Sequence, residues 1–340
     1  MKMMRYILSE PTDMQAKRSG FSLIELLTVV GVIGLIVSLS LPAIQTSREA
    51  ARRTNCLNNM KQIGVAMNNY ALTWNVFPPN PLDNNSLGFS RVFSAFALIL
   101  PDLDQSNLFN SINFSTSIGG DLNQIAPNTT SMGTFLYAFV CPSDYLVDPS
   151  QPAPINYRTN NGVCGDCKAG TKNGAFTIDG TSTAGFLDGL SNTLLISEKL
   201  IGTNEKISFE PNRDWIRCNP PNPEHYRQDT VEDWLRHCSS RTYSLDSRNI
   251  YHNAGRGWIH GNVCESGFFV SAPPNSRIPD CGYGWIDGLG VFTARSLHPG
   301  GVDAAMADGS VRFFTNGINA NVWRALGTRN GMEAVTFDSP

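Results

Sequence analysis

Charge is scarce in these 340 residues: only 16 % are Asp, Glu, Lys or Arg, and the formal net charge is −3. So even a balance supplies neither a basic patch nor an acidic tail, and no nucleic-acid partner is expected. Histidine is rarer still, at five copies. A Gly-x-Ser-x-Gly elbow, a phosphate-binding loop, a His-Glu-x-x-His pair and a Cys/His nucleophile signature are all missing. The chain is therefore not expected to be an enzyme, and no catalytic residue, cofactor or metal is assigned.

Charge is most nearly absent between Phe21 and Leu41, where Glu25 is the only ionisable side chain in 21 residues. As a helix rising about 1.5 Å per residue, that stretch spans roughly 31 Å, the thickness of a bilayer core. Lys17 and Arg18 precede it. By the positive-inside rule they keep the N-terminus cytoplasmic and put the remainder across the membrane. Pro42 and Ala43 lead directly into polar sequence with no small-x-small cleavage site, which disfavours a conventional signal peptide. Glu25 needs a partner, because a carboxylate in a membrane segment is costly. A cut between Gly20 and Phe21 would expose an amine four residues before it. In an assembly, the carboxylate of one subunit would then neutralise the Phe21 amine of its neighbour. The plainer alternative is a signal anchor whose Glu25 stays solvated near the interface.

The run Lys17-Arg18-Ser19-Gly20-Phe21-Ser22-Leu23-Ile24-Glu25-Leu26-Leu27 resembles the cleavage and methylation motif of type IV prepilins and type II secretion pseudopilins. The resemblance implies that a prepilin peptidase cuts after Gly20 and methylates the new N-terminus at Phe21, and that Glu25 guides subunit docking. Pro42 matches the proline at the end of the membrane half of the pilin helix. A second set of motifs is similar to the pilin-like family catalogued as domain of unknown function 1559. It comprises the stretch from Arg48 to Gly64, Cys141-Pro142-Ser143-Asp144, the block from Asp188-Gly189 to Glu198, and His298 followed by Asp308-Gly309. Together the resemblances imply an α+β, pilin-like fold: a long N-terminal helix on an antiparallel β-rich head. They imply a filament subunit of a type II secretion pseudopilus or type IV pilus-like fibre, single-pass in the inner membrane with its head extracytoplasmic. The implied partners are the prepilin peptidase and homologous pilin subunits. The competing expectation is a monomeric membrane-anchored module that binds glycan or protein.

The chain divides on composition into a leader (1–20), a membrane or filament-core helix (21–41), an amphipathic continuation (42–77), a β-rich head (78–201 and 282–340) and an insertion (202–281). In the continuation, Cys56, Met60, Ile63, Met67, Tyr70 and Trp74 recur every three or four residues and predict one buried helical stripe. Pro78-Pro79 ends it. Arg48, Arg52 and Arg53 are expected on a solvated face, the alternative being contacts with lipid headgroups or with acidic groups on a neighbouring subunit. The segment 93–101 reads as a short helix or buried strand, and 103–109 as a short helix. Asn128-Thr129-Thr130 fits a glycosylation sequon of little weight. Strands are expected over 174–178 and 193–197, with turns at Asp179-Gly180 and Asp188-Gly189. Asp308-Gly309 joins two alternating runs and predicts a hairpin with Val302, Ala304 and Met306 on one face, placed at the end of the head's sheet.

Eight cysteines beyond a membrane segment suggest disulfides. Cys164 and Cys167 suit a small local bridge. Cys218, Cys238, Cys264 and Cys281 suit staples of unspecified pairing in the insertion, and Cys56 suits simple burial. The insertion also holds Trp215, Trp234 and Trp258, either as a recognition surface or as packing. His298, Asp303 and Asp308 have the types of a metal or acid–base set, but Asp308 is explained by its turn, Asp303 by solvent and His298 by a loop hydrogen bond. Glu198 reads as a strand-end charge, paired or capping.

Overall fold

A computed structural model of the chain describes residues 22–80, 93–115, 128–145, 153–163, 173–205, 209–222, 229–240, 249–283 and 289–333. Gly20 and Phe21, where processing is expected, the rest of the expected leader, the Cys164 and Cys167 pair and His225 lie outside them. The chain forms two units, one up to Ala50 and one from Ala51 onward.

Helix α1 runs Leu23–Trp74 without interruption, with Pro42 inside it. An interior proline forfeits its own N–H bond and its ring crowds the carbonyl four residues back, yet α1 continues through Pro42. In the first unit α1 is apolar and exposed: Leu23, Leu27, Leu35, Leu39 and Ile44 all face outward. The helix is long and apolar enough there to cross a membrane. At its start, the Ser22 N–H donates to the Glu25 carboxylate at 2.9 Å, half of a capping box.

From Ala51 on, the same helix is a core element. Cys56, Met60, Ile63 and Met67 are fully buried, as their spacing predicts, while Tyr70 is only half-buried. Trp74 departs from the stripe and is exposed, resting near Tyr70. The buried face closes instead on Ala66 and Ala71. Asn75, at φ 62°, turns the chain out of the helix before Pro78-Pro79.

Short helices follow: α2 (Ala95–Leu98), capped by Ser94, α3 (Ser106–Ser111) and α4 (Thr129–Met132), with a 3₁₀ turn at Leu100–Leu103. The sequon asparagine Asn128 is buried and bonded both ways to the Asn113 backbone. The remaining elements are β1 (Tyr157–Asn160), β2 (Leu194–Glu198), β3 (Trp215–Arg217), α5 (Val231–Ser239), β4 (Ile250–Tyr251), α6 (Val263–Ser266), β5 (Gly267–Phe268), β6 (Asp280–Tyr283), β7 (Leu289–Val291), β8 (Gly301–Met306), β9 (Val311–Thr315) and α7 (Ala320–Gly327). The class is α+β.

One sheet has the order β5-β1-β2-β8-β9 and the other β4-β3-β6-β7. Both are mixed rather than antiparallel throughout, since β5 runs parallel to β1 and β6 parallel to β3. The segment 174–178 is a loop, not the expected strand. A Cβ on Gly174 would stand 2.1 Å from the Gly162 N, so the backbones lie too close there for side chains between strands. The β8–β9 hairpin forms as predicted, with Gly309 at φ 78° in its turn and β9 at the sheet edge.

The five-stranded sheet has a core on each face. Tyr157, Leu195, Ile196 and Ala305 pack with the α1 stripe. Val302, Ala304 and Met306, together with Leu194 and Phe268, pack against Trp323 and Leu326 of α7. The stretch 202–281 contributes strands to both sheets, and Trp215, Trp234 and Trp258 are all buried. These tryptophans pack the interior instead of forming a recognition surface.

Candidate functional site

Four side chains with metal-binding or redox chemistry meet under the α1 face of the five-stranded sheet: Cys56, Cys141, Glu198 and His298, all buried. Each comes from a different element. Cys56 is on the buried stripe of α1. Cys141 follows a 3₁₀ turn, Tyr137–Phe139. Asn59 of α1 clamps that segment by donating to the carbonyls of Tyr137 (3.0 Å) and Val140 (2.9 Å). Glu198 ends β2, where β1 and β8 flank it. His298 lies in the loop before β8, its N–H held by the Ser296 hydroxyl at 2.9 Å.

Cys56 and Cys141 are joined as a disulfide that ties the helix to the head. Cys56 was expected only to be buried. His298 Nε2 lies 3.6 Å from Cys141 Sγ and 3.1 Å from Glu198 Oε1, so it bridges sulfur and carboxylate. It was expected to bond a loop backbone. The other Glu198 oxygen accepts the Asp303 N–H at 3.0 Å. Burial pushes the Glu198 carboxyl above its ordinary range, while the His298 hydrogen bond works against that rise. Asp303, expected in solvent, is fully buried and pairs with Arg53 at 3.3 Å. Arg53 also covers the Phe313 ring at 4.2 Å, so it is not merely a solvated charge. Tyr157 donates to the Cys56 carbonyl at 3.0 Å, beneath the disulfide.

Buried ions continue beyond Glu198. Lys199 pairs with Asp280, which also receives Arg295 at 3.1 Å. Burial lowers Lys199 to about 8. Asp144 accepts from Asn156, Ile201 N and Arg213, at 2.8, 3.0 and 2.8 Å. It is a buried hub. A second sulfur cluster lies in the four-stranded sheet: Cys238 bridges to Cys281, and Cys218 Sγ stands 3.2 Å from Cys281 Sγ. Cys264, expected among the staples, is a buried free thiol.

Of the motif residues, the fold thus gathers Cys141, Glu198 and His298, and separates the rest. Asp188 accepts the N–H groups of Gly331 and Met332 at 2.8 and 2.7 Å, and Gly189 takes φ 92° in its turn. Asp308 is exposed, its carboxylate closing the hairpin turn on Ser310 N, and the Gly309 carbonyl accepts from Lys61 at 2.6 Å. Pro142 lines a cleft of about 500 Å³ with Asn55, Phe135, Tyr137 and Tyr145. Sequence reasoning missed Cys56 and Arg53 as members of the site, and named Asp303 beside His298 only to set it in solvent. Cys56 carried a signal, as the one sulfur on the buried stripe that could pair.

The family model SBP_bac_10, described as protein of unknown function (DUF1559), matches residues 45–321. That is most of the chain, and the chain belongs to this family. No curated protein and no solved structure matches it.

Proposed function

We propose that this member of the DUF1559 family is a pilin-like filament subunit, cleaved after Gly20 by a prepilin peptidase and anchored through α1 until it assembles. The observation that carries the proposal is the wholly exposed apolar stretch of α1 with Glu25 as its lone charge. A helix that is apolar all round and uncovered belongs in lipid or against like helices. A carboxylate near its start suits a neighbour's amine better than hydrocarbon. In this account the inner membrane holds the subunit with its head outside. Apolar helices then leave lipid for a filament core that drives secretion or displays the head, and no catalytic step is involved. Mass spectrometry of the protein extracted from its native membrane is expected to find N-methyl-phenylalanine at Phe21. Retention of residues 1–20 would refute it.

A monomeric anchored binding module is the second possibility. The cleft beside Pro142 favours it, because Tyr137 and Tyr145 are 84 % and 69 % exposed at its rim. Crosslinking through cysteines placed along 23–44 separates the two, since only a filament yields neighbour-to-neighbour products.

A further inference from the structure

The Cys56–Cys141 disulfide explains itself as a staple, but it does not explain its neighbours. A disulfide is neutral and gains little from an imidazole and a carboxylate buried beside it. Burying that carboxylate is itself costly. Two sulfurs, an imidazole nitrogen and a carboxylate oxygen from four separate elements are instead the donor set of a tetrahedral site for a borderline-soft divalent ion.

We propose that the reduced protein binds one zinc-class divalent cation between Cys56 Sγ, Cys141 Sγ, His298 Nε2 and Glu198 Oε1, and that metal loading and disulfide formation exclude one another. The four donor atoms lie within 4.8 Å of one another, and all four residues are buried. With zinc–sulfur bonds near 2.3 Å and zinc–nitrogen or –oxygen bonds near 2.0 Å, tetrahedral donors stand roughly 3.3–3.8 Å apart. The Cys141 Sγ to His298 Nε2 separation is 3.6 Å, and that from His298 Nε2 to Glu198 Oε1 is 3.1 Å. Loading requires the sulfur–sulfur edge to open and any donor pair wider than this range, up to 4.8 Å, to close. The outer sphere is already in place: the Asp303 N–H holds the second Glu198 oxygen and Tyr157 holds the Cys56 carbonyl.

The exchange balances. A thiol or phosphine reductant supplies two electrons and, with solvent, two protons, converting the disulfide to two thiols and being oxidised itself. The cation then displaces both thiol protons, and His298 carries its ring proton on Nδ1. The proposal is independent of pilus assembly and of processing at Phe21.

The test uses the full chain in detergent, reduced with a phosphine under anaerobic conditions and titrated with Co²⁺. Thiolate-to-cobalt charge-transfer bands and strong tetrahedral d–d bands are expected, abolished by excess Zn²⁺. The Cys56→Ser/Cys141→Ser variant keeps every other cysteine and should bind one equivalent fewer. His298→Gln should weaken that equivalent by at least about tenfold, the smallest loss seen even for outer-sphere partners. Zn²⁺ should raise the melting temperature of the reduced wild type but not of the double variant. Equal cobalt stoichiometry in wild type and double variant would overturn the proposal. So would unchanged affinity in His298→Gln, or a reduced wild type that neither binds cobalt nor is stabilised by Zn²⁺.

Discussion

The two units of this chain reverse the usual distribution of side chains in opposite senses. In residues 23–44 apolar side chains are exposed; from Ala51 on, charged ones are buried, including Glu198, Lys199, Asp280, Arg158 and Arg295. An exposed apolar helix is stable only when lipid or another helix replaces water around it. A buried charge is tolerated only when a countercharge and hydrogen bonds replace water around it. The first unit therefore looks outward for what completes it, and the second supplies its own partners. Substitutions should accordingly register in different measurements: association for the first, unfolding for the second.

The largest effect on unfolding should come from the disulfide. Cys56 and Cys141 are 85 residues apart, and the chain-entropy model assigns a loop of that length roughly 4–5 kcal/mol. Denaturant unfolding of Cys56→Ser in metal-free buffer is expected to show most of that loss. Membrane association, which the proposed function assigns to 23–44, should be unchanged. A Cys56→Ser protein that also left the membrane would break the separation between the units.

Next comes Asp280→Asn, which leaves the Lys199 ammonium and Arg295 buried without their carboxylate. The expected loss is about 3–5 kcal/mol. Replacing Lys199 by Met as well should return part of it, since the cost lies in the uncompensated charge. The pH profile follows from the same pair. Burial alone would raise Asp280, but Lys199 and Arg295 outweigh it and hold the carboxyl below 3.8. Its contribution is thus present above that value and lost as pH falls through the lower folded value. Lys199 titrates near 8 when folded and at 10.5 when free, so between these values the unfolded chain binds more protons and stability rises with pH. Asp280→Asn should remove the acid limb, which is checked by melting temperatures between pH 3 and 10.

How much of this was legible beforehand followed the range of the interactions. The hairpin was readable because Asp308-Gly309 and the alternation of Val302, Ala304 and Met306 are local signals, and the α1 stripe because its period is 3.6. The site was not, because residues 56, 141, 198 and 298 are brought together by sheet register and a long-range disulfide, neither of which leaves a trace in spacing. Cys141, Glu198 and His298 were singled out as separate family motifs, and the one set weighed joined His298 to Asp303 and Asp308 instead. The false strand at 174–178 had the right composition, but the close approach of Gly174 to Gly162 decides that region. The short helix α7 was missed altogether. Its start is set by the Asn319 side chain accepting the Asn321 N–H, and its place by Trp323 and Leu326 filling the second core.

A moderate effect should separate the two stretches of α1 directly. Met60→Ala removes a fully buried side chain from the core and is expected to cost about 3 kcal/mol in the unfolding free energy. Leu35→Ala, with the same loss of bulk at an exposed position, should stay within about 0.5 kcal/mol. Its deficit should appear instead as weaker partitioning into vesicles or fewer crosslinked neighbours. Equal unfolding penalties would mean that 23–44 is covered by this chain's own second unit, and the comparison would fail.

The smallest effect offers the finest resolution. Gly34 and Gly64 occupy the same helix, and replacing either by Ala should favour the helix by up to about 1 kcal/mol. A Cβ at Gly34 meets nothing within 4 Å, whereas one at Gly64 would meet Gly309 Cα at 3.6 Å and Ala305 Cβ at 3.8 Å. Those are ordinary contact distances, so Gly64→Ala should be neutral or slightly stabilising to the second unit, and Gly34→Ala silent in its melting temperature. Gly64→Leu has no such room: it would push the hairpin turn off α1 and strip the Lys61 hydrogen bond from the Gly309 carbonyl. A Gly64→Ala protein that melts several degrees lower would show that helix and hairpin touch more tightly than van der Waals contact. Association of the first unit should be indifferent to either change at Gly64, because the proposed function has lipid or neighbouring helices surround 23–44.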